Sequence, residues 1–256
     1  MNSHAASLSP AATESALRTA GLDPARLPRH VGIIMDGNGR WATGRGWERV
    51  RGHRLGAEAV RTVTTIAAQL GIVRLTLYAF SSENWSRPQR EIDVLMHLLR
   101  DFLRNEEATL HANHIRLEAI GQLDRLPTPV LKELNRVRSA TADHTRMVLS
   151  LAISYGGRDE LVDACRRIAS RAKAGELDPT AIDASTVQDH LYAPAGGDLD
   201  LVIRTAGELR LSNFMPWQSV YAEYVASPAL WPDFGEADFV TCLREYQRRE
   251  RRFGGL

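Results

Sequence analysis

Val31-Gly32-Ile33-Ile34-Met35 is a short apolar segment that stops abruptly at Asp36-Gly37-Asn38-Gly39. Its apolar residues are continuous rather than alternating with polar ones, which predicts a strand covered on both faces, as in a parallel sheet. Further strand-like segments with helical patterns between them lie at residues 75–80, 115–120, 147–153, 199–203 and 220–225. This alternation predicts an α/β fold, a single domain with a largely parallel central sheet flanked by helices.

Length and composition exclude several broad classes of protein. The 256 residues are 44% hydrophobic and 25% charged, which excludes collagen-like, coiled-coil and wholly disordered chains. Lys and Arg number 32 against 31 Asp and Glu, so we expect no nucleic-acid partner, and any anion site must be built locally from arginines. The sequence has no apolar run of about 18 residues and no signal-like segment, which predicts a cytoplasmic protein.

Periodicity also predicts the helices and the ends of the domain. Apolar residues recur at helical spacing in 55–70, 91–113, 130–140, 159–174 and 236–252. Residues 1–26 are rich in Ala, Ser and Pro, and we predict a poorly ordered N-terminal extension there with one short helix. Cys165 and Cys242 lack CxxC spacing, so neither a disulfide nor a zinc ribbon is indicated.

Four polar clusters come directly after predicted strands. They are Asp36–Arg40, Ser81–Trp85, Gly156–Arg158 and Arg204–Glu208. The carboxyl ends of parallel strands lie at one edge of a sheet, where α/β proteins place their ligands. We therefore expect a carboxylate, an amide, hydroxyls and several arginines to meet in one crevice, which indicates an enzyme.

The cluster Asp36–Arg40 combines an acid with two glycines and a guanidinium. Glycines let backbone N–H groups approach an oxyanion, and an arginine offers a bidentate fork for phosphate. A Mg²⁺ ion between the Asp36 carboxylate and phosphate oxygens would relieve their repulsion. A plain turn beside a surface arginine explains the pentapeptide about equally well.

The same segment fits a dinucleotide-binding fingerprint through Gly37, Gly39 and Ala42. Glu58 lies where a ribose-binding acid is sought, but it falls inside a helical pattern rather than at a strand end. The acid directly before the first glycine would also face the pyrophosphate. Both points disfavour a nicotinamide-dependent oxidoreductase.

Basic residues form two groups that suit anionic ligands. The first leads into the helix predicted at 55–70, where cations oppose the helix dipole unless an anion sits there, although a solvated basic loop is the alternative. Its members are Arg45, Arg49, Arg51, His53 and Arg54. Arg204, Arg210 and Ser212 form the second group. Two groups suggest two phosphorylated substrates.

The helix predicted at 91–113 has an apolar sector wider than one core stripe needs. Its apolar residues are Ile92, Val94, Leu95, Met96, Leu98, Leu99, Phe102 and Leu103. A hydrocarbon-binding tunnel and a helix packed on both sides both explain this pattern, which by itself favours the second. His97, His111 and His114 lack a carboxylate at ligand spacing, which favours surface histidines over a metal site.

Four motifs follow one another along the chain. They are His30-Val-Gly-Ile-Ile-Met-Asp-Gly-Asn-Gly-Arg-Trp41, Tyr78-Ala-Phe-Ser-Ser-Glu-Asn-Trp85, Arg204-Thr-x-Gly-Glu-x-Arg-x-Ser-Asn-Phe214 and Trp231-Pro-Asp-Phe234. Together they closely resemble the cis-prenyltransferases, particularly the bacterial undecaprenyl diphosphate synthases. The resemblance implies a catalytic domain at 27–256, with a parallel sheet and an apolar tunnel for the growing chain.

The resemblance also implies a reaction. Members of the family condense isopentenyl diphosphate with an allylic diphosphate, usually farnesyl diphosphate, and form Z double bonds. Mg²⁺ is the implied cofactor, and undecaprenyl diphosphate, a lipid carrier for the cell wall, is the implied product. A homodimer and peripheral membrane contact during product release are implied as well. The alternatives are a short-chain Z-prenyl diphosphate synthase and a non-catalytic partner subunit of a prenyltransferase.

The resemblance assigns roles to individual residues. Asp36 and Asn84 are the implied catalytic residues, and Asp36 and Glu223 are the implied metal ligands. The implied substrate-binding residues are Gly37, Asn38, Gly39, Arg40, Trp41, Arg49, His53, Ser81, Ser82, Glu83, Trp85, Arg87, Arg204, Arg210, Leu211 and Ser212. The chain departs from the common family pattern at Ala206, Leu209 and Met215-Pro216, which leaves product length and metal detail open.

Overall fold

A computed structural model describes residues 9–250 of the chain. Its centre is a six-stranded sheet in the order β3-β4-β2-β1-β5-β6, and every neighbouring pair is parallel. The strands are β1 His30–Ile34, β2 Arg74–Ser81, β3 Ile115–Ile120, β4 Met147–Tyr155, β5 Leu201–Arg204 and β6 Glu223–Ala226. The predicted α/β fold with a parallel sheet is confirmed.

Eight helices surround the sheet in the described part of the chain. They are α1 Pro10–Ala20, α2 Asn38–Thr43, α3 Arg49–Gln69, α4 Gln89–Ala112, α5 Thr128–Ala140, α6 Gly157–Lys173, α7 Ala184–Asp189 and α8 Glu236–Gln247. None of the helices within residues 9–250 is both long enough and apolar enough to cross a membrane. The predicted helix at 236–252 ends at Gln247, and residues 251 and 252 lie outside the described residues.

The sheet is covered on both faces, which explains the continuous apolar segments. Val31 and Ile33 of β1 belong to the large core cluster that also contains residues of α3, α4, α5 and α8. Ile34 of β1 and Val202 of β5 point the other way, into a smaller cluster with Phe214. Two buried faces remove the need for alternating polar residues.

Most of the basic segment before the helix predicted at 55–70 is itself helical, because α3 begins at Arg49 rather than near residue 55. Gly52 and Gly56 lie in its first two turns and let α3 approach α2 closely. A Cβ on Gly52 would overlap the Asn38 carbonyl oxygen, and a Cβ on Gly56 would overlap Asn38 Oδ1. The first anion group is therefore part of a helix packed against the loop after β1.

The described part of the N-terminal extension contains α1, which agrees with the one short helix predicted there, and its poor order stays a prediction. Ser9 caps α1, and Leu17 and Leu22 are buried in the large core cluster. Arg244 of α8 also donates to the Ala20 carbonyl at 2.6 and 2.9 Å. Composition alone underestimated these contacts, because two buried leucines suffice to dock a short helix. Residues 1–8 lie outside the described residues, and the domain boundary at 27 stays a prediction.

Candidate active site

Asp36 lies at the carboxyl end of β1, where two arginines hold its side chain. The β1–β5 register pairs Ile34 with Arg204, which brings Arg204 Nη2 to 2.9 Å from Asp36 Oδ2. Arg40 Nη2 lies 3.3 Å from Asp36 Oδ1, and Gly37 N donates to the same oxygen at 2.7 Å. Gly37 has a φ of 104°, a conformation that glycine adopts without strain.

These neighbours keep Asp36 ionised. Burial alone would raise the pKa of the Asp36 carboxyl, but the hydrogen bond and charge of Arg204 oppose it. The Gly37 N–H and the charge of Arg40 act in the same direction, so the pKa lies below its usual value. A carboxylate that stays ionised at this position suits the binding of a cation.

The second anion group lies directly beside Asp36. Arg204 is almost fully buried, and its Nη1 donates to Ser212 Oγ at 2.6 Å and also to the Arg210 carbonyl. Glu208 accepts a hydrogen bond from Arg40 Nη1 at 3.1 Å and forms an ion pair with Arg210. Arg40, from the cluster that follows β1, therefore meets the second anion group, and the Asp36 and Glu208 carboxylates lie between the guanidinium groups.

The loop after β2 forms a short helical turn, Ser82–Ser86, at the same edge. Asn84 Oδ1 accepts from Ser81 N at 3.1 Å, which fixes the orientation of the Asn84 amide. Trp85 packs edge-on against Phe80, and its Nε1 donates to Ser154 Oγ at 2.9 Å. The turn is thus anchored to the sheet through its tryptophan.

Asn213 connects this turn to the loop after β4. Its Nδ2 donates to Glu83 Oε1 at 2.8 Å, while its Oδ1 accepts from Arg158 N at 2.9 Å. A Cβ on Gly156 would overlap Ser82 Oγ, so the loops after β2 and β4 are in direct contact. Contacts thus join the loops after β1 and β5 and the loops after β2 and β4, and Asn213, which follows β5, connects the two pairs. The sequence reasoning missed Asn213 as a site residue, although it lies inside the quoted motif that ends at Phe214.

A cavity of about 200 Å³ opens beside these loops, between β2, α3 and α4. Polar side chains line one end of it, namely Asn38, His53, Asn84 and Arg87. Its apolar wall includes Leu77, Ala79, Leu95, Met96, Leu98, Leu99, Phe102, Leu151 and Trp231. Five of the eight apolar residues named in α4 therefore line this space, and most of them also pack in or against the large core cluster. A continuous tunnel stays a prediction.

His53 and Arg49 lie near the loop after β1. Burial, together with the positive charges of Arg87 and Arg49, lowers the pKa of His53 to about 4, against the opposing charge of Glu91. The guanidinium of Arg49 covers the backbone at Gly39, where a Cβ would lie 3.0 Å from Arg49 Nε. His53 is therefore neutral at physiological pH in the free protein.

The side chains of two residues predicted to bind substrate pack against other parts of the protein. The Trp41 side chain is buried, its Nε1 donates to Asp233 Oδ1 at 2.6 Å, and Arg45 stacks 4.0 Å from its ring. Leu211 packs against the smaller core cluster on the opposite face of the sheet. Neither side chain lines the cavity beside α4, so we assign both to supporting the loops.

The predicted metal pair of Asp36 and Glu223 does not form within one chain. Glu223 is the first residue of β6 and pairs with Leu201, at the opposite end of the strand from Arg204. Its carboxylate instead pairs with Arg249, with Nη1 and Oε2 2.9 Å apart. Across residues 9–250, no three His, Cys, Asp or Glu side chains converge as metal ligands. Family likeness alone could not reveal this register.

The chain is similar in sequence to one protein family and to individual proteins of known name. The family model described as "Putative undecaprenyl diphosphate synthase" matches residues 34–254. An isoprenyl transferase of Zymomonas mobilis is 51% identical over 230 residues, which cover 90% of this chain and 93% of that protein. An isoprenyl transferase of Heliobacterium mobile is 48% identical over 235 residues, which cover 92% of this chain and 90% of that protein.

Two solved structures share the fold over most of the chain. One is lavandulyl diphosphate synthase from Lavandula x intermedia in complex with dimethylallyl diphosphate, with a TM-score of 0.87 and 38% identity. The match covers 90% of this chain and 99% of that protein. A "probable undecaprenyl diphosphate synthase" from Campylobacter jejuni has a TM-score of 0.74 and 32% identity. The match covers 89% of this chain and 98% of that protein.

Proposed function

The chain belongs to the cis-prenyltransferase family, and we propose that it condenses isopentenyl diphosphate with an allylic diphosphate, preferably farnesyl diphosphate. The observation that carries this proposal is the Asp36 carboxylate held between Arg204 and Arg40 beside an apolar-walled cavity. Charged groups at one end and hydrocarbon at the other match a prenyl diphosphate. The relatives named isoprenyl transferases support chain elongation.

The two anion groups divide between the two substrates. We assign the allylic diphosphate to Arg40, Arg49, His53 and the backbone at 37–39, because Asn38 and His53 line the cavity and the Arg49 guanidinium lies against the backbone at Gly39. Isopentenyl diphosphate falls to Arg204, Arg210 and Ser212 on the other side of Asp36. Neighbouring diphosphate sites orient the alkene of one substrate toward the allylic carbon of the other, which removes much of the entropic cost of reaction.

Mg²⁺ fits the residues between these sites. Asp36 supplies an ionised carboxylate that is 28% exposed, and Asn38 Oδ1 is buried without a hydrogen-bond partner among the described residues. Mg²⁺ in proteins commonly takes one or two carboxylates and completes its shell with substrate phosphates and water. When bound, the ion would stabilise the charge of the leaving diphosphate.

The chain's own residues supply the rest of the chemistry. When the allylic C–O bond breaks, the diphosphate leaves with the electron pair, and Arg40 and Arg49 stabilise its charge. The terminal alkene carbon of isopentenyl diphosphate then bonds to the allylic carbon. This leaves a positive charge on the neighbouring alkene carbon, and the next carbon on the diphosphate side loses a proton to form the new double bond. A phosphate oxygen of the departing diphosphate accepts the proton, and we assign Asn84 to orienting that group.

The apolar cavity wall favours retention of a lengthening chain. Each isoprene unit adds five carbons, and burial contributes about 0.8 kcal/mol per CH₂. We propose undecaprenyl diphosphate as the product, with membrane contact during its release, because so apolar a product leaves water readily. A short-chain product is the alternative, and product length decides between them.

Purified protein incubated with farnesyl diphosphate, radiolabelled isopentenyl diphosphate and Mg²⁺ tests the proposal. We expect Z-polyprenyl diphosphates, sized by mass spectrometry, and loss of product when EDTA removes the metal. Absence of any elongated product from the isolated chain would contradict catalysis and favour a non-catalytic partner subunit. Activity that survives EDTA would contradict the proposed metal.

We also propose that the protein is a homodimer. The edge strand β6 follows Val220 and Tyr221, whose side chains are 67% and 59% exposed. An apolar patch beside a sheet edge is a common protein interface. Analytical ultracentrifugation should show a dimer that Val220→Asp dissociates, and a wild-type monomer at micromolar concentration would contradict this proposal.

A further inference from the structure

Asn213 joins two strand-end loops to its own, and the chemistry described above does not use it. Its backbone carbonyl accepts a hydrogen bond from Gly157 N at 2.8 Å, and its Oδ1 accepts from Arg158 N at 2.9 Å. Its Nδ2 donates to Glu83 Oε1 at 2.8 Å. The side chain thus connects the first turn of α6 with the turn that contains Asn84.

These contacts require an asparagine. A carboxylate only accepts hydrogen bonds and a backbone N–H only donates them, so the side chain between Glu83 and Arg158 needs one donor and one acceptor. An aspartate would place two carboxylates face to face. Asn213 also has a φ of 64°, in the left-handed region that asparagine tolerates better than most residues.

Asn213 also replaces a missing helix cap. Gly156 occupies the N-cap position of α6 and has no side chain, and Asn213 satisfies the first N–H groups from a distant loop. A Cβ on Gly156 would lie 2.9 Å from Asn213 Nδ2 and would overlap Ser82 Oγ. The packing at this point leaves no room for a larger group, so the three loops are held in one arrangement.

We propose that Asn213 is a positioning residue that holds the Glu83 turn against the isopentenyl diphosphate site. The adjacent Ser212 accepts from Arg204 Nη1 at 2.6 Å, and Arg204 Nη2 donates to Asp36 at 2.9 Å. One connected set of contacts thus ties together the loops after β1, β2, β4 and β5. The inference rests on the proposed function, since it names the substrate whose site Asn213 shapes.

Asn213→Asp tests this assignment, because it keeps an acceptor for Arg158 N but sets a carboxylate against Glu83. We expect kcat/KM for isopentenyl diphosphate to fall about tenfold or more, the range for a lost hydrogen bond to a charged group. The KM for farnesyl diphosphate should stay within about twofold, because its proposed site makes no contact with Asn213. Asn135→Asp adds the same charge at an exposed position of α5 and should change neither value.

A second substitution should rescue the first. In Asn213→Asp/Glu83→Gln the glutamine amide can donate to the new carboxylate, which still accepts from Arg158 N. Asn213→Asp should lower kcat/KM for isopentenyl diphosphate in both backgrounds, but we expect the factor to be at least about fivefold smaller in the Glu83→Gln background than in the wild type. General damage to the fold would lower kcat/KM by the same factor in both backgrounds.

The same four proteins are also compared by thermal unfolding, which tests the contact without turnover. We expect Asn213→Asp to lower the melting temperature less in the Glu83→Gln background. The proposal would be overturned if Asn213→Asp lowered kcat/KM or the melting temperature equally in both backgrounds. A loss of activity that appeared only as a higher KM for farnesyl diphosphate would also overturn it. A wild-type protein that fails to elongate any chain contradicts the proposed function instead, and the unfolding experiment keeps the two failures distinct.

Discussion

The Arg204 side chain contacts three other residues of the site, so the arrangement of the site depends on it. Its Nη2 pairs with Asp36, while its Nη1 donates to Ser212 Oγ and to the Arg210 carbonyl. A buried guanidinium is stable only when charge and hydrogen bonds compensate its desolvation. Asp36 therefore helps to maintain the second anion group as well as serving the reaction.

Asp36→Asn removes the charge of this carboxylate and keeps its size. We expect kcat to fall about 10²–10³-fold or more, because the variant loses stabilisation of the developing charge and a donor for Mg²⁺. Steady-state kinetics of chain elongation measure the effect. Asp124→Asn, in an exposed turn after β3, is the matched control and should retain full activity. A near-normal kcat for Asp36→Asn would remove its catalytic role.

His53 should couple diphosphate binding to proton uptake. Its pKa is about 4 in the free protein, and a bound anion would raise that value, so binding strengthens as the pH falls toward the raised pKa. We expect pyrophosphate affinity to increase between pH 8 and 6. Calorimetry in buffers of different ionisation enthalpy measures the uptake, and His53→Asn corrects for protons taken up by pyrophosphate itself. Identical uptake by both proteins would contradict the prediction.

Sequence identifies the charged residues better than it identifies their connections. Asp36 and Arg204 could be predicted because each directly follows an apolar strand. Asn213 could not, because its role depends on the turn that aims its amide at Glu83. The position of Glu223 relative to Asp36 could not be predicted either, because the β5–β6 register, invisible in the sequence, places Glu223 opposite Leu201.

At the scale of elements, the strands were predicted more closely than the helix ends. Strand positions follow from apolar segments that both sheet faces bury, and these segments are explicit in the sequence. The start of α3 was placed too late because glycines and arginines resemble a loop by propensity. Contact with Asn38, which only small residues at 52 and 56 permit, explains the earlier start.

The pairing of β2 with α4 should control product length. Ala79 of β2 lines the cavity together with Leu99 and Phe102 of α4. Ala79→Leu adds about three carbons to this wall, and overpacking costs about 1–3 kcal/mol. We therefore expect products shorter by at least one isoprene unit, measured by mass spectrometry. Leu99→Met, which conserves volume, should leave the lengths unchanged. Unaltered products from Ala79→Leu would place the growing chain elsewhere.

The whole molecule concentrates charge locally while remaining nearly neutral. A net charge of +1 predicts no general attraction for polyanions, yet Arg40 and Arg204, from two separate segments, both pair with Asp36, and Arg210 pairs with the neighbouring Glu208. This distribution suits two small diphosphates, whose charge is met at short range, better than an extended polyanion. The parallel sheet makes it possible by directing all the relevant loops to one edge.

The N-terminal helix should contribute to global stability without taking part in the chemistry. Leu17 of α1 is 4% exposed and packs into the large core cluster, while α1 makes no contribution to the cavity beside α4. Leu17→Ala should therefore lower the unfolding free energy by about 2–5 kcal/mol, as for other buried leucines, and leave kcat unchanged. Urea titration and steady-state kinetics measure the two effects, and Glu14→Ala, on the exposed face of α1, should alter neither. Unchanged stability for Leu17→Ala would mean that α1 is dispensable and that the folded unit begins near residue 27, as composition alone suggested.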